Sequence, residues 1–185
     1  LQNGIAVADT GNIFRTTNSG TNWIQVLKNS SIRITSFAFA NQSIGCGTTS
    51  DGKIYSTTNY GYNWTLTQYP QNNPVYKVHF VNNNVGFAIC TGGVMLKTID
   101  SGLTWFNINS PTSDYTSFGA NFIDENTGWL LSSKVVSPHP SFHTTYTKII
   151  KTTNGGDNWF MLYDVNTSSS LDPLYNIKFL NENVG

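Results

Sequence analysis

The chain has 185 residues, no net charge and only 11% charged side chains. Without a basic surface to hold phosphates, nucleic-acid binding is excluded; polarity comes instead from neutral groups, among them 23 asparagines. No apolar run is long enough to span a bilayer.

Taken in chain order, the sequence opens with a short strand, Gly4–Asp9, and a first box, TTNSGTNW at Thr16–Trp23. TSFAFANQSIGCG then reads as strand, polar turn and strand, and GKIYS leads into TTNYGYNW at Thr57–Trp64. The third stretch shows a whole unit: VYKVHF, turn VNNN, VGFAIC, turn TGG, VMLKTI, the box TIDSGLTW at Thr98–Trp105, and a closing TWFNI. Alternating β-branched and aromatic runs, separated by Asn- and Gly-rich turns, make this a four-stranded antiparallel meander. FGANFIDENTGWLL and TKIIKTTNGGDNWFML repeat it, with the fourth box at Thr152–Trp159, and LYNIKFL at Leu174–Leu180 reads as a further first strand. No window has helical periodicity.

The Trp-to-Trp spacings are 41, 41 and 54 residues. A period near forty built of strands is the mark of a propeller blade. The predicted fold is therefore all-β, a β-propeller of four-stranded antiparallel blades occupying 1–185, with repeats at about 4–44, 45–85, 86–127 and 128–184. NENVG at the end opens another repeat, which favours a propeller of more than four blades; the alternative is a closed four-bladed ring in which LYNIKFL pairs with GIAVAD to complete the first blade. Cys46 and Cys90 sit at opposite parity in equivalent strands and read as small buried hydrophobes rather than a bridge.

Each box has a turn logic. Its third residue (Asn18, Asn59, Asp100, Asn154) is placed to accept backbone N–H groups. Its fifth (Gly20, Gly61, Gly102, Gly156) permits a left-handed backbone. Its last (Trp23, Trp64, Trp105, Trp159) starts the outer strand and is expected to be mostly buried in equivalent surroundings. All twelve are predicted to be structural.

The box resembles the Asp-box, or BNR repeat, of sialidases and related propellers. The longer pattern FVNNNVGFAICTGGVMLKTIDSGLTW is similar to the photosystem II assembly/stability factor-like family of propellers. Three boxes carry Asn where that pattern favours Asp. The resemblance implies a propeller, and three kinds of role to weigh.

Sialidases clamp a carboxylate with three arginines. This chain has two, Arg15 and Arg33, and Arg15 falls in a third strand in step with Ser56, Lys97 and Lys151. Lysine does not replace the bidentate fork, so sialidase chemistry is not expected. Xyloglucan-cleaving hydrolases use two carboxyl groups across a cleft. Here Asp9, Asp51, Asp124, Glu125 and Glu182 fall in turns and read as turn formers. A polysaccharide-acting glycoside hydrolase with acids partly outside this chain stays as an alternative, as does a photosynthetic complex assembly factor, against which stands the lack of a basic surface. No phosphate loop or nucleophile triad is apparent.

The fourth repeat carries an insertion at about Lys134–Thr147, KVVSPHPSFHTTYT. As a turn between second and third strands it should project from the face opposite the boxes. His139, Phe142, His143 and Tyr146 make it a candidate contact loop. Pro140 between the histidines argues against a helical metal pair, and no metal, cofactor or catalytic residue is expected. The reading is a non-enzymatic extracellular or cell-surface binding or scaffold module, whose partner is a protein, a glycan or a neighbouring domain of the same chain.

Overall fold

The computed structural model describes residues 2–8, 11–28, 33–67, 73–110, 112, 116–139, 142–167, 174 and 176–185; the side chains of 116–118, 137–139, 142, 143 and 165–167 lie outside that description. The fold is all-β, built of the antiparallel blades of a propeller. The first sheet holds β1 (Gly4–Val7), β2 (Ile13–Thr16) and β3 (Ile24–Leu27). The second runs β4 (Ile34–Phe39), β5 (Gly45–Thr49), β6 (Ile54–Thr57) and β7 (Thr65–Thr67). The third runs β8 (Val75–Phe80), β9 (Gly86–Cys90), β10 (Met95–Thr98) and β11 (Phe106–Ile108). The fourth runs β12 (Thr116–Phe122), β13 (Gly128–His139), β14 (Phe142–Thr152) and β15 (Phe160–Thr167). Within each sheet the strands neighbour one another in sequence order, so every sheet is a meander.

The chain divides into two compact units, Leu1–Ala88 with Lys97–Phe106, and Ile89–Leu96 with Asn107–Gly185. In the first, Ile13, Cys46, Ile54, Val75 and Val78 are buried. Strand β5 (GCGTT) is buried at every residue, because small side chains let both of its faces be covered. In the second, Trp129, Leu130, Leu131 and Ile150 form the centre. The TGG turn places Gly92 and Gly93 at φ of 70° and 73°, as its glycines allow.

A phenylalanine six residues before a glycine recurs at the start of each second strand: Phe39 with Gly45, Phe80 with Gly86, Phe122 with Gly128. A Cβ on any of these glycines would stand closer than 3.0 Å to the ring. The same rings meet the box tryptophans edge-on or tilted, with centroids 6.3 Å apart for Phe39–Trp64 and Phe80–Trp105 and 6.1 Å for Phe122–Trp159. Glycine thus leaves room for a Phe–Trp pair, worth about 0.5–1.5 kcal/mol beyond the area it buries.

Three expectations are corrected. The box tryptophans are not equivalent: Trp105 is 4% exposed, Trp64 and Trp159 are half-buried, and Trp23 is 44% exposed. In the three-stranded first sheet, whose Phe14 lies on β2, no phenylalanine ring pairs with Trp23 among the described residues. Secondly, Lys134–Thr147 is not a loop. It extends β13 and β14 into a long ribbon, with Lys134 opposite Tyr146, Val135 opposite Thr145 and His139 opposite Phe142. The β-branched pairs Val135–Thr145 and Val136–Thr144 continue the ladder beyond the length seen in the other repeats. Thirdly, the described part of Leu174–Leu180 forms no strand. Instead, Phe179 stacks on Trp129 at 3.8 Å with planes 4° apart, and its N–H donates to Asn121 Oδ1 at 2.5 Å. Phe179 also repeats the Phe–Gly contact with Gly185.

Unequal burial gives an expected outcome. Trp105→Ala should lose about 3–5 kcal/mol on denaturant unfolding, the range for truncating a buried aromatic. Trp23→Ala should lose clearly less, and equal losses would show that the two indoles do the same job.

Candidate functional site

The four boxes share one hydrogen-bond scheme. The first threonine accepts the N–H of the box glycine at 3.0, 3.0, 2.9 and 3.0 Å for Thr16, Thr57, Thr98 and Thr152. Its hydroxyl donates to Asn18, Asn59, Asp100 or Asn154 at 2.8–3.1 Å. That same oxygen accepts the N–H four residues later, at 2.9, 2.9, 2.8 and 2.9 Å. Each indole N–H closes onto the box glycine carbonyl at 3.1–3.2 Å. The glycines take φ of 89°, 79°, 86° and 97°.

Sequence reasoning missed two parts of this scheme. The threonine is as central as the Asx residue. The fourth position is also left-handed, with φ of 58°, 62°, 66° and 70° at Ser19, Tyr60, Ser101 and Gly155. Its N–H donates to a carbonyl in the turn between the first and second strands of the second, third and fourth sheets, at Ser43, Asn84 and Asn126, and to that of Gln2, just ahead of β1, in the first. Those turns are held by their own Asx caps. Asn41, Asn82 and Asp124 each accept two backbone N–H groups, at 2.6–3.0 Å.

The acids are committed to this framework. Asp124 caps a turn, as its position predicted. Asp51 accepts from Thr49 at 2.6 Å and pairs with Lys53 at 2.6 Å. Partial burial would raise its carboxyl, but these bonds outweigh it and hold the group below its ordinary range. Asp100 is held low in the same way, by Thr104 and Thr98 against burial. Glu182 lies 3.9 Å from Lys151 and Asp164 3.8 Å from Lys148, both pairs at the surface. Asp9 lies outside the described residues. No group of three His, Cys, Asp or Glu among the described residues is placed to hold a metal.

Both cysteines are free and buried. Burial, and then the charge of Asp100, push the Cys46 thiol up to about 12; burial pushes Cys90 to about 12. Such thiols are unreactive. Cys46 sits against Gly102, where any Cβ would collide with its sulfur.

In the inserted ribbon, Tyr146 is a half-buried strand residue between Lys134 and Asn166. The side chains of His139, Phe142 and His143 lie outside the described residues. β13 runs to His139 and β14 from Phe142, and the box follows the far end of β14, so in this blade the described end of the ribbon and the box stand at opposite ends of the strand.

A recess in the first unit was not anticipated. Its cavity of about 570 Å³ is lined by Asn3, Ile5, Arg15, Phe37, Gln42 and Tyr60, among others. Arg15, on β2, is 4% exposed. Its Nε donates to the Tyr60 carbonyl at 2.8 Å and its Nη2 to Asn3 Oδ1 at 3.2 Å. Its Cζ lies 4.0 Å from the centroid of the Tyr62 ring. Nη1 is buried with no hydrogen-bond acceptor among the described residues. The signal was present in the sequence: arginine stands where the other repeats have Ser or Lys, and TTNYGYNW alone carries tyrosines at its fourth and sixth positions.

Solved structures with this fold were compared with the chain. It is similar to YCF48 bound to D1 peptide, at 14% identity and a TM-score of 0.50, over 87% of this chain and 78% of that one. It is similar to YCF48 from Cyanidioschyzon merolae, at 16% identity and a TM-score of 0.62, over 87% and 56%. An ancestral GH74 enzyme matches at 18% identity and a TM-score of 0.62, over 88% and 26%. The chain therefore spans just over half of the second structure and about a quarter of the third. At these identities the likeness establishes the propeller fold. No protein-family model and no curated protein matches the chain. No helix among the described residues is long and apolar enough to cross a membrane.

The lowered Asp100 carboxyl sets a pH dependence. A depressed folded-state pKa contributes stability above the unfolded value, near 4, and that contribution is lost as pH falls through the folded value. Asp100→Asn keeps the residue found in the other boxes but loses the charge. The melting temperature of the variant should lie below that of the parent at pH 7 and converge with it as pH falls from the unfolded value through the lowered folded one. A gap that stays constant with pH would assign the stabilisation to shape rather than charge.

Proposed function

We propose that this chain is a non-enzymatic binding module that recognises a peptide segment of a protein partner, and that it works outside the cell or on its surface. The observation that carries the reading is the recess around Arg15, with its aromatic wall, amide side chains and unpaired guanidinium donor. Sites of a few hundred Å³ that combine apolar surface with a few directed polar groups are the usual form of ligand pocket. Capped and paired carboxylates speak against hydrolysis, because general acid catalysis needs a carboxyl with a raised pKa, and Asp51 and Asp100 are both held low. The likeness to a YCF48 structure with a bound peptide supports a peptide over a sugar as the first ligand to try. We further assign the four boxes to the Asp-box class, on the shared scheme of threonine, Asx, glycine and tryptophan.

The test is a peptide array and a glycan array probed with the labelled chain, run beside a reducing-sugar assay on xyloglucan and related polysaccharides. Retention on a subset of peptides without sugar release is expected. Release of reducing sugar, or retention on glycans alone, would overturn the reading.

A further inference from the structure

Arg15 poses a problem of charge. A guanidinium stays ionised at any pH a protein meets, and burying an ion is costly unless it is paired and hydrogen-bonded. Yet Arg15 is 4% exposed and no carboxylate pairs with it among the described residues. Its partners are a carbonyl, an amide oxygen and the face of Tyr62. They satisfy Nε, one Nη2 donor and one ring face, and none carries a negative charge. Nη1 remains without an acceptor.

The surroundings select for an anion of a particular kind. Among the described residues Arg15 is the one charged side chain lining the cavity, and its neighbours Gln2, Asn3, Asn41 and Gln42 are neutral amides. A monoanion balances one guanidinium, whereas a phosphate ester carries up to two charges and would need a second cation. The planar fork of arginine matches the two oxygens of a carboxylate. Nε is fixed by the Tyr60 carbonyl and the plane is fixed by Tyr62, so the remaining donors are pre-oriented, which limits the ordering cost of binding. Phe37 and Tyr60 are exposed at the cavity and offer apolar contact to whatever bears the carboxylate.

We propose that the Arg15 recess is a carboxylate-binding site, which takes the C-terminal carboxylate or an Asp or Glu side chain of a bound peptide through the Arg15 guanidinium. The proposal rests on the peptide-binding reading above and adds the chemical group that is recognised.

The test uses the full chain and octapeptides drawn from those retained on the array, each made in three forms: with its carboxylates intact, with a C-terminal amide, and with Asp and Glu replaced by Asn and Gln. Affinity is read by fluorescence anisotropy, and the Arg15 Nε–H resonance is followed by NMR in the unmodified protein. Removing the responsible carboxylate should weaken binding at least tenfold, and whichever form loses affinity identifies the source as chain end or side chain. The acid form should shift the Arg15 resonance in a saturable way. Arg15→Lys, which keeps the charge but not the fork, should weaken the acid form by a larger factor than the carboxylate-free form. Equal binding of all three forms, or an Arg15 resonance that does not move, would overturn the carboxylate site while leaving peptide binding intact. Retention of no peptide at all, or of acidic glycans only, would overturn both.

Discussion

The constraint on which the rest depends is the pair of left-handed residues at the centre of each box. Turning β2, β6, β10 or β14 into the following strand requires positive φ at the fourth and fifth box positions together. Glycine adopts this freely at the fifth, but Ser19, Tyr60 and Ser101 at the fourth carry side chains and cost about 1 kcal/mol or more each. What holds them is local and specific. The threonine hydroxyl, the Asx oxygen and the indole N–H each close a ring of hydrogen bonds, and the strained residue donates its own N–H to the neighbouring turn of the same sheet. At about 1 kcal/mol net per bond, the set outweighs the strain. Because the same scheme also fixes the turn between first and second strands, one end of each blade is set by side-chain chemistry rather than by a long ladder.

This framework leaves little room at the box glycines. In the first unit, Ile5 lies over Gly61 and Cys46 over Gly102, each from the residue just after the glycine that starts a second strand. The second-strand glycine makes space for a phenylalanine ring on one side, and the residue after it fills the space over a box. The second-strand glycines Gly45, Gly86 and Gly128 are therefore demanded by contact, and the box glycines Gly61, Gly102 and Gly156 by contact as well as by backbone angle. The buried, high-pKa thiol of Cys46 belongs to this packing, not to redox chemistry.

Much of this was legible in the sequence because it is repeated. Strand order, the boxes, the polar turns and the Asx caps each recur at a fixed offset, and four copies turn a weak local preference into a strong pattern. What was missed lay where a copy departs from the pattern. Trp23 was read as buried because it holds the same box position as its three counterparts, but those three each meet a phenylalanine ring and Trp23 meets none among the described residues. The inserted ribbon was read as a loop because it interrupts the repeat between second and third strands, although Val135, Val136, Thr144 and Thr145 have the β-branched shape that continues a ladder. Arg15 was weighed as one of too few arginines for a known enzyme, not as a single charge placed in a recess, because burial is a property of the packed chain.

The use of charge in this protein explains why the recess matters. A chain with so few ionisable groups spends most of its described acids on architecture: Asp100 in a box, Asp124 in a cap, Asp51, Asp164 and Glu182 in pairs with lysines. Each of these has a local partner that accounts for it. Arg15 has neutral partners but no carboxylate among the described residues. It sits on the strand leading into the first box, in the place where Ser56, Lys97 and Lys151 stand in the other repeats. Its guanidinium is held by two features peculiar to the second box, the carbonyl of a strained Tyr60 and the ring of Tyr62. The box that elsewhere only turns the chain is here also the platform that orients a charged group. Rigid elements hold a binding group more tightly than flexible loops do, and the strain at Tyr60 is sustained by the same hydrogen bonds that build the blade. The repeat thus supplies rigidity, and the departures from it supply the chemistry.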